Sequence, residues 1–87
     1  CSALSSLDLS SFNISKVTNM YKTFMLCSNL TTIYVSDLWS TSSVTNSNNM
    51  FGNCTSLTGT VPFDSTKTDA TMANYTTGYL TYKKNTN

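Results

Sequence analysis

Three cysteines are the residues of this sequence whose types most readily suggest chemistry. Cys1, Cys27 and Cys54 recur after 26 and then 27 residues, whereas zinc sites use close Cys-x-x-Cys pairs or histidine partners. The chain contains no histidine, so a cysteine nucleophile would lack its usual base. Neighbouring rungs of a stack lie roughly 4.8 Å apart, within the Cα range of a disulfide. Parallel side chains do not turn their sulfurs toward each other, however, so we expect buried free thiols.

Other catalytic and metal-binding chemistry is poorly represented. Serine is abundant, but no Gly-x-Ser-x-Gly elbow occurs, and the few aspartates are scattered without a dominant acid–base pair. Asp64 and Asp69 could share a calcium ion, but the loop between them lacks an acidic cluster. We expect these two to serve turns and a helix cap instead. The sequence thus predicts no enzyme, no metal and no cofactor.

Charge is sparse and nearly balanced. The sequence contains five lysines and four aspartates, which gives a net charge of +1, and it contains no arginine, glutamate or histidine. Nucleic-acid binding needs clustered basic groups, so it is not expected. Serine, threonine and asparagine supply 40 of the 87 residues, and such a charge-poor polar surface fits a secreted or cell-surface setting. No apolar run approaches the length of a membrane span, and we expect the chain to be a fragment of a longer protein.

An internal repeat organises the first two thirds of the chain. Residues 1–12 align with residues 27–38, residues 16–27 align with residues 43–54, and a third unit opens at Cys54. The first half of each unit reads Leu-x-x-Leu-x-Leu. In it Leu7 and Leu9 alternate with polar residues, as do Ile33 and Val35, which predicts a strand with one apolar face.

The second half of each unit spaces its apolar residues by three, four and three, which favours one helical stripe or an irregular return segment. Ser47 is anomalous there, because it stands where the first unit has Met20; its hydroxyl would bond a local carbonyl, or the helix would be looser. Stacked units bury a continuous core. The predicted core residues are Leu4, Leu7, Leu9, Val17, Met20, Phe24, Cys27, Leu30, Ile33, Val35, Val44, Phe51, Cys54 and Leu57.

The chain changes character after Thr60. Pro62 lacks the amide donor that a central strand needs, so regular stacking should end there. Residues 68–75 can form a short helix capped by Thr68 or Asp69, and residues 79–82 alternate like a final strand. We therefore divide the chain into repeats over residues 1–60 and a C-terminal part over residues 61–87, which comprises a capping segment (61–82) and a solvated tail (83–87).

The repeat resembles the BspA-like leucine-rich repeat of bacterial surface proteins. Residues 7–20, then Phe24 and Cys27, match its pattern, residues 39–57 are similar to its last full unit, and residues 69–73 and 78–81 look like its closing segment. The resemblance implies an α/β leucine-rich-repeat solenoid with parallel strands and a C-terminal cap. It also implies surface exposure and attachment to host proteins, matrix or other cells. Family members often carry many repeats, whereas this chain has barely two and a half.

Aromatic residues beside the strands are the best candidates for ligand contacts. Tyr34 should lie on the outward strand face, and Trp39 falls at the strand-to-turn edge, where it would either contact a ligand or pack as repeat core. Tyr75, Tyr79 and Tyr82 are assigned to the cap. The candidate binding surface comprises Ser6, Asp8, Ser10, Thr32, Tyr34, Ser36 and Trp39.

Two functions follow from this pattern. The leading prediction is an extracellular recognition module that binds a protein or glycan of a host or neighbouring cell without catalysis. The alternative is a structural end-cap or spacer that stacks on adjacent repeats or subunits of a larger surface or fibre assembly. The apolar rung formed by Leu4, Leu7 and Leu9 would be left uncovered in the isolated chain, which supports the second.

Overall fold

Three short parallel strands form the sheet of this protein, as described by a computed structural model over residues 4–84. Strand β1 comprises Ser6–Asp8, β2 comprises Thr32–Val35 and β3 comprises Thr81–Tyr82, in the order β1-β2-β3. Leu7 pairs with Ile33 in a parallel register. These two residues occupy the same position in successive sequence repeats, so the two units lie directly one beside the other.

The return segments of the two units also run parallel and exchange backbone hydrogen bonds. Asn19 pairs with Asn46 in an isolated parallel bridge. Every second amide of the first segment then donates to the second segment. These bonds are Met20 N to Asn46 O at 2.7 Å, Lys22 N to Asn48 O at 3.1 Å, Phe24 N to Met50 O at 2.8 Å and Leu26 N to Gly52 O at 2.8 Å. A helix would need these amides for its own carbonyls, so the return segments take the irregular form rather than the helical one.

Left-handed backbone recurs at the same two positions of each unit. Lys22 and Leu26 have φ of 57° and 67°, and Asn49 and Asn53, each 27 residues later, have φ of 55° and 60°. Such residues interrupt a right-handed helix and produce a chain of tight turns. The apolar spacing of three, four and three therefore arises from turns that close every few residues, not from a continuous helix.

The core lies between the sheet and the return segments. Phe24 and Phe51, equivalent in the repeat, stack with ring centroids 5.6 Å apart, and Tyr79 meets Phe51 edge-on at 5.3 Å. Of the predicted core, Leu7, Leu9, Val17 and Val44 are half-buried and pack against it, and Leu4 is 38 % exposed. The remaining nine are buried. The core also includes Trp39, for which packing in the core was one of the two predicted alternatives, and residues that the sequence analysis did not assign to it: Ile14, Met50, Ala73, Tyr79 and Leu80.

Hydroxyl groups of the second unit bind carbonyls of the first. Thr31 Oγ1 donates to Ser5 O at 3.0 Å, Ser43 Oγ to Ser15 O at 2.6 Å, and Thr45 Oγ1 to Thr18 O at 3.2 Å. Short hydroxyl side chains reach a neighbouring backbone at little cost in side-chain entropy. The abundance of serine and threonine is thus partly explained by contacts between the units.

The third unit begins in register and then leaves the sheet. Thr58 N donates to Thr31 O at 2.9 Å, as expected for a third unit in register. Beyond that point the strand that pairs with β2 is β3, and Lys83 N donates to Val35 O at 2.7 Å. The crossing takes place at Gly59, where a Cβ atom would collide with the backbone of Tyr79 and leave the residue no room.

A single 3-10 turn is the helical part of residues 4–84. It spans Ala70–Met72 and is capped by Asp69, whose carboxylate accepts from Thr71 N at 3.0 Å. The prediction of a helix capped near Asp69 is confirmed, although the helix is shorter than residues 68–75. The predicted final strand is also present, as β3. Within residues 4–84, no helical segment has the length and apolar character of a membrane span.

Candidate binding surface

The outer face of the sheet brings together side chains from the first two strands. Ser6 and Asp8 project from β1 and are exposed, and Thr32 and Tyr34 project from β2 and are half-buried. Period-two alternation puts these four residues on the face opposite Leu7 and Ile33. Four of the seven predicted binding residues therefore share one surface.

Lys83, just after β3, completes this surface. Its Nζ lies 2.6 Å from Asp8 Oδ2 and 5.6 Å from the ring centroid of Tyr34. The lysine and aspartate side chains are 52 % and 46 % exposed, so water screens the pair and its contribution to stability is small. We call Asp8, Tyr34 and Lys83 the sheet-face cluster.

Hydrogen bonding favours the charged forms of both ions in this cluster. Lys83 and Ser10 donate to the Asp8 carboxylate and hold its pKa well below the usual range. The same contact with Asp8 raises the pKa of Lys83. The cluster thus presents an anion, a cation and an aromatic ring side by side at neutral pH, a combination suited to polar ligands with an apolar face.

Two predicted binding residues do not belong to this surface. Ser36 is 1 % exposed, and its hydroxyl donates to Ser10 O, joining the two units. Trp39 is 8 % exposed, and its Nε1 donates to Ala73 O at 2.8 Å. Both side chains form internal contacts and are not available to a ligand. Of the two placements predicted for Trp39, packing in the core is the one that the structure contains. Ser10 is half-buried and lies at the margin of the surface.

Sequence reasoning placed Lys83 in a solvated tail and so missed its part in the cluster. Asp8 and Lys83 are separated by 75 positions, and no repeat signal connects them. The alternation in residues 79–82 predicted a strand, but it gave no information on which edge of the sheet that strand would join.

Comparison with protein-family models assigns the chain to one family. The family model described as "Mycoplasma protein of unknown function, DUF285" matches residues 2–87. The chain belongs to the DUF285 family. Curated proteins and solved structures gave no match to it.

The cysteines of this DUF285 chain differ from the sequence prediction at one position. Cys54 is a buried free thiol, as predicted, and its Sγ lies 2.7 Å from Phe24 O. Burial raises its pKa. Cys27, however, is disulfide-bonded, so the free-thiol prediction is wrong there. Cys1 lies outside the described residues.

The carboxylates near the end of the chain are engaged in local structure. Asp64 Oδ1 accepts from the backbone and hydroxyl of Thr66 at 2.9 and 2.6 Å, and Asp69 Oδ1 accepts from Thr71 in the same way. These bonds lower the pKa of both aspartates. Residues 4–84 contain no group of three or more potential metal ligands. The carboxylates thus have the turn and cap roles expected of them.

Ser47 serves a different purpose from either predicted alternative. Its Oγ accepts from Ala70 N at 3.1 Å, so the hydroxyl holds the capping segment. A methionine at this position would offer only a thioether sulfur, which is a much weaker acceptor than a hydroxyl oxygen. The departure from the first unit therefore marks the place where the last residues cover the second unit.

An open groove of about 740 Å³ lies beside the capping segment. Its apolar wall consists of Val61, Pro62, Phe63 and Met72, and Asp64 and Lys67 lie at its rim. The buried Tyr79 holds the backbone of two lining residues in place, because its hydroxyl donates to Lys67 O at 2.7 Å and accepts from Asp64 N at 2.9 Å. The groove is thus shaped by the packing of the cap.

Proposed function

We propose that this chain is part of a short leucine-rich-repeat solenoid of the BspA-like surface type, acting outside the cell as a non-catalytic recognition module. The DUF285 family also occurs in BspA-like surface proteins. The parallel pairing of Leu7 with Ile33 supports the repeat interpretation. The partner would be a protein or a glycan of a host or neighbouring cell.

The observation that carries this proposal is the sheet-face cluster. Asp8 comes from β1, Tyr34 from β2 and Lys83 from the residue after β3, and the three meet on an exposed, polar side of the sheet. Tyrosine is one of the residue types enriched among those that dominate binding energies. The half-buried ring of Tyr34 is held by its strand, which limits the entropy lost when a ligand is bound.

The test is binding of the chain to arrays of extracellular-matrix proteins and of glycans. The double substitution Tyr34→Ala with Asp8→Ala should weaken binding to any captured partner at least tenfold, or about 1.4 kcal/mol. The matched control is Tyr21→Ala with Lys22→Ala. That pair also places a lysine over an exposed tyrosine ring, at 5.0 Å, but it lies away from the sheet face. Equal losses for both double variants, or no loss for either, would remove the sheet face as the binding site.

A closing module for a longer stack is the second candidate. Phe51 N donates to Thr68 O at 2.9 Å and Ala70 N donates to Ser47 Oγ, so the last residues cover the second unit with main-chain bonds. If this is the role, a chain ending at residue 60 should lose cooperative urea unfolding, whereas one ending at Lys84 should keep it. Cooperative unfolding of the shorter chain would contradict an essential cap.

A further inference from the structure

The groove beside the capping segment, which we call the cap groove, has no part in the proposed function. Its volume of about 740 Å³ lies in the range of sites that hold small molecules. Val61, Phe63 and Met72 line it, and these side chains are half-buried and pack against the core. The cap groove therefore offers a ligand apolar surface that the core does not fully cover.

The walls of the cap groove are held by contacts with one buried residue, Tyr79. Its backbone N donates to Met72 O at 2.8 Å, and its ring centroid lies 5.6 Å from that of Phe63. Its hydroxyl donates to Lys67 O and accepts from Asp64 N. Because these contacts exist before a ligand arrives, little conformational entropy is lost from the protein when one binds.

Two opposite charges lie at the rim of the cap groove on one tight turn. Lys67 N donates to Asp64 O at 2.9 Å, which closes the turn. Carboxylate oxygen Oδ1 of Asp64 accepts two bonds from Thr66, and these bonds hold the pKa of Asp64 below its usual range. The other oxygen, Oδ2, accepts no hydrogen bond from residues 4–84, and the Lys67 ammonium forms no ion pair with them. An acceptor and a cation thus remain available beside apolar surface.

We infer that the cap groove binds an apolar α-amino acid whose amino and carboxyl groups are both free. The ligand's ammonium binds Asp64 Oδ2 and its carboxylate binds the Lys67 ammonium, both as charge-assisted contacts. Its side chain lies against Phe63 and Met72.

Charge complementarity selects this ligand over other apolar ones. The two charges of an α-amino acid are joined through a single carbon, which suits two opposite charges carried by one turn. A fatty acid would pair with Lys67 but offer nothing to Asp64, and an internal segment of a peptide carries neither charge on its backbone. The inference goes beyond the proposed function and depends neither on the sheet-face cluster nor on the stacking of repeats.

The first test titrates the 87-residue protein with L-leucine and follows the backbone amide signals of Val61, Phe63 and Met72 by NMR. At about pH 6.5 both rim groups and the α-amino group are charged. The dissociation constant should be millimolar, because the groove is open and its charges are exposed. N-acetyl-leucine lacks the ammonium and leucinamide lacks the carboxylate, so each should bind about three- to fivefold more weakly, the contribution of one exposed ion pair. Glycine, which has both charges but no apolar side chain, should also bind more weakly than leucine.

Two substitutions assign the two charges. In Lys67→Gln the preference for leucine over leucinamide should disappear. In Asp64→Asn the preference for leucine over N-acetyl-leucine should disappear, while the amide oxygen can still accept from Thr66. Lys16→Gln is the matched control, since Lys16 is an exposed lysine of the first unit and does not line the groove; it should leave both preferences intact. The three substituted residues are exposed, so the variants should keep the dispersed amide spectrum of the folded protein.

Four results would overturn the inference. The first is the absence of saturable shifts at the lining amides, and the second is equal affinity for leucine and its two blocked analogues. The third is retention of both preferences in Lys67→Gln and Asp64→Asn. The fourth is tighter binding of octanoate than of leucine, since that would make a fatty acid the occupant. Array binding by the Tyr34 variant bears on none of these results, so this inference and the recognition function can fail separately.

Discussion

The left-handed backbone of Asn53 predicts how substitutions at this position change the stability of the protein. This residue has φ of 60° and is exposed, so the backbone conformation, not packing, decides which side chain is tolerated. A left-handed conformation costs an ordinary L-residue about 1–2 kcal/mol, and asparagine tolerates it better than most. Asn53→Ala should therefore lower the free energy of unfolding by about 1 kcal/mol. Asn53→Gly should leave the free energy of unfolding within about 0.5 kcal/mol of that of the unsubstituted protein, because the relief of backbone strain offsets the greater entropy of the unfolded chain.

Asn48 is the matched control for this prediction. It is exposed and its φ is not positive, so alanine should there be more stable than glycine by about 0.5–1 kcal/mol. The order of alanine and glycine should thus reverse between positions 48 and 53. Urea unfolding followed by the fluorescence of the buried Trp39 measures all four variants. The same order at both positions would refute the conformational argument. Leu26→Gly should likewise exceed Leu26→Ala in stability.

Further predictions concern a crossing point, the cysteines and an ion pair. Gly59→Ala should lower the free energy of unfolding by about 1–3 kcal/mol, because the added Cβ would collide with the backbone of Tyr79. Gly52→Ala should lower it less, because its Cβ would first meet a flexible side chain at 3.3 Å. Equal decreases for the two variants in urea unfolding would contradict this prediction. Cys54 in the folded protein should resist alkylation at pH 8, because its thiol is buried and its pKa is raised. When the protein is unfolded without reductant, mass spectrometry should find Cys54 alkylated and Cys27 unmodified, because Cys27 is disulfide-bonded. The Asp8 carboxyl should titrate below its unfolded pKa of about 3.9 in an NMR titration, because lysine and serine donors stabilise its anion. Since its folded pKa is depressed, the stabilisation it provides is present above about pH 4 and is lost as the pH falls through the folded pKa; a midpoint at the unfolded value would contradict the contact.

The sequence by itself determined the repeat and the features that recur with it. The spacing of Leu7 and Ile33 predicted neighbouring strands, which the structure contains, and the equivalence of Phe24 and Phe51 predicted a shared interior, where their rings stack. Periodic features are predictable because each unit makes the same contacts as the previous one. Asp69 as a cap was predictable for a different reason, since its bond to Thr71 is local.

The tertiary structure alone decided where the non-repeating residues go. Lys83 reaches Asp8, and Trp39 binds the carbonyl of Ala73, although these contacts join segments with no common pattern. The backbone of the carboxyl-terminal strand could form hydrogen bonds with either β1 or β2. The close packing of Gly59 against Tyr79 places it beside β2. A periodic pattern specifies how equal units stack, but it carries no information on how an unequal segment closes the stack.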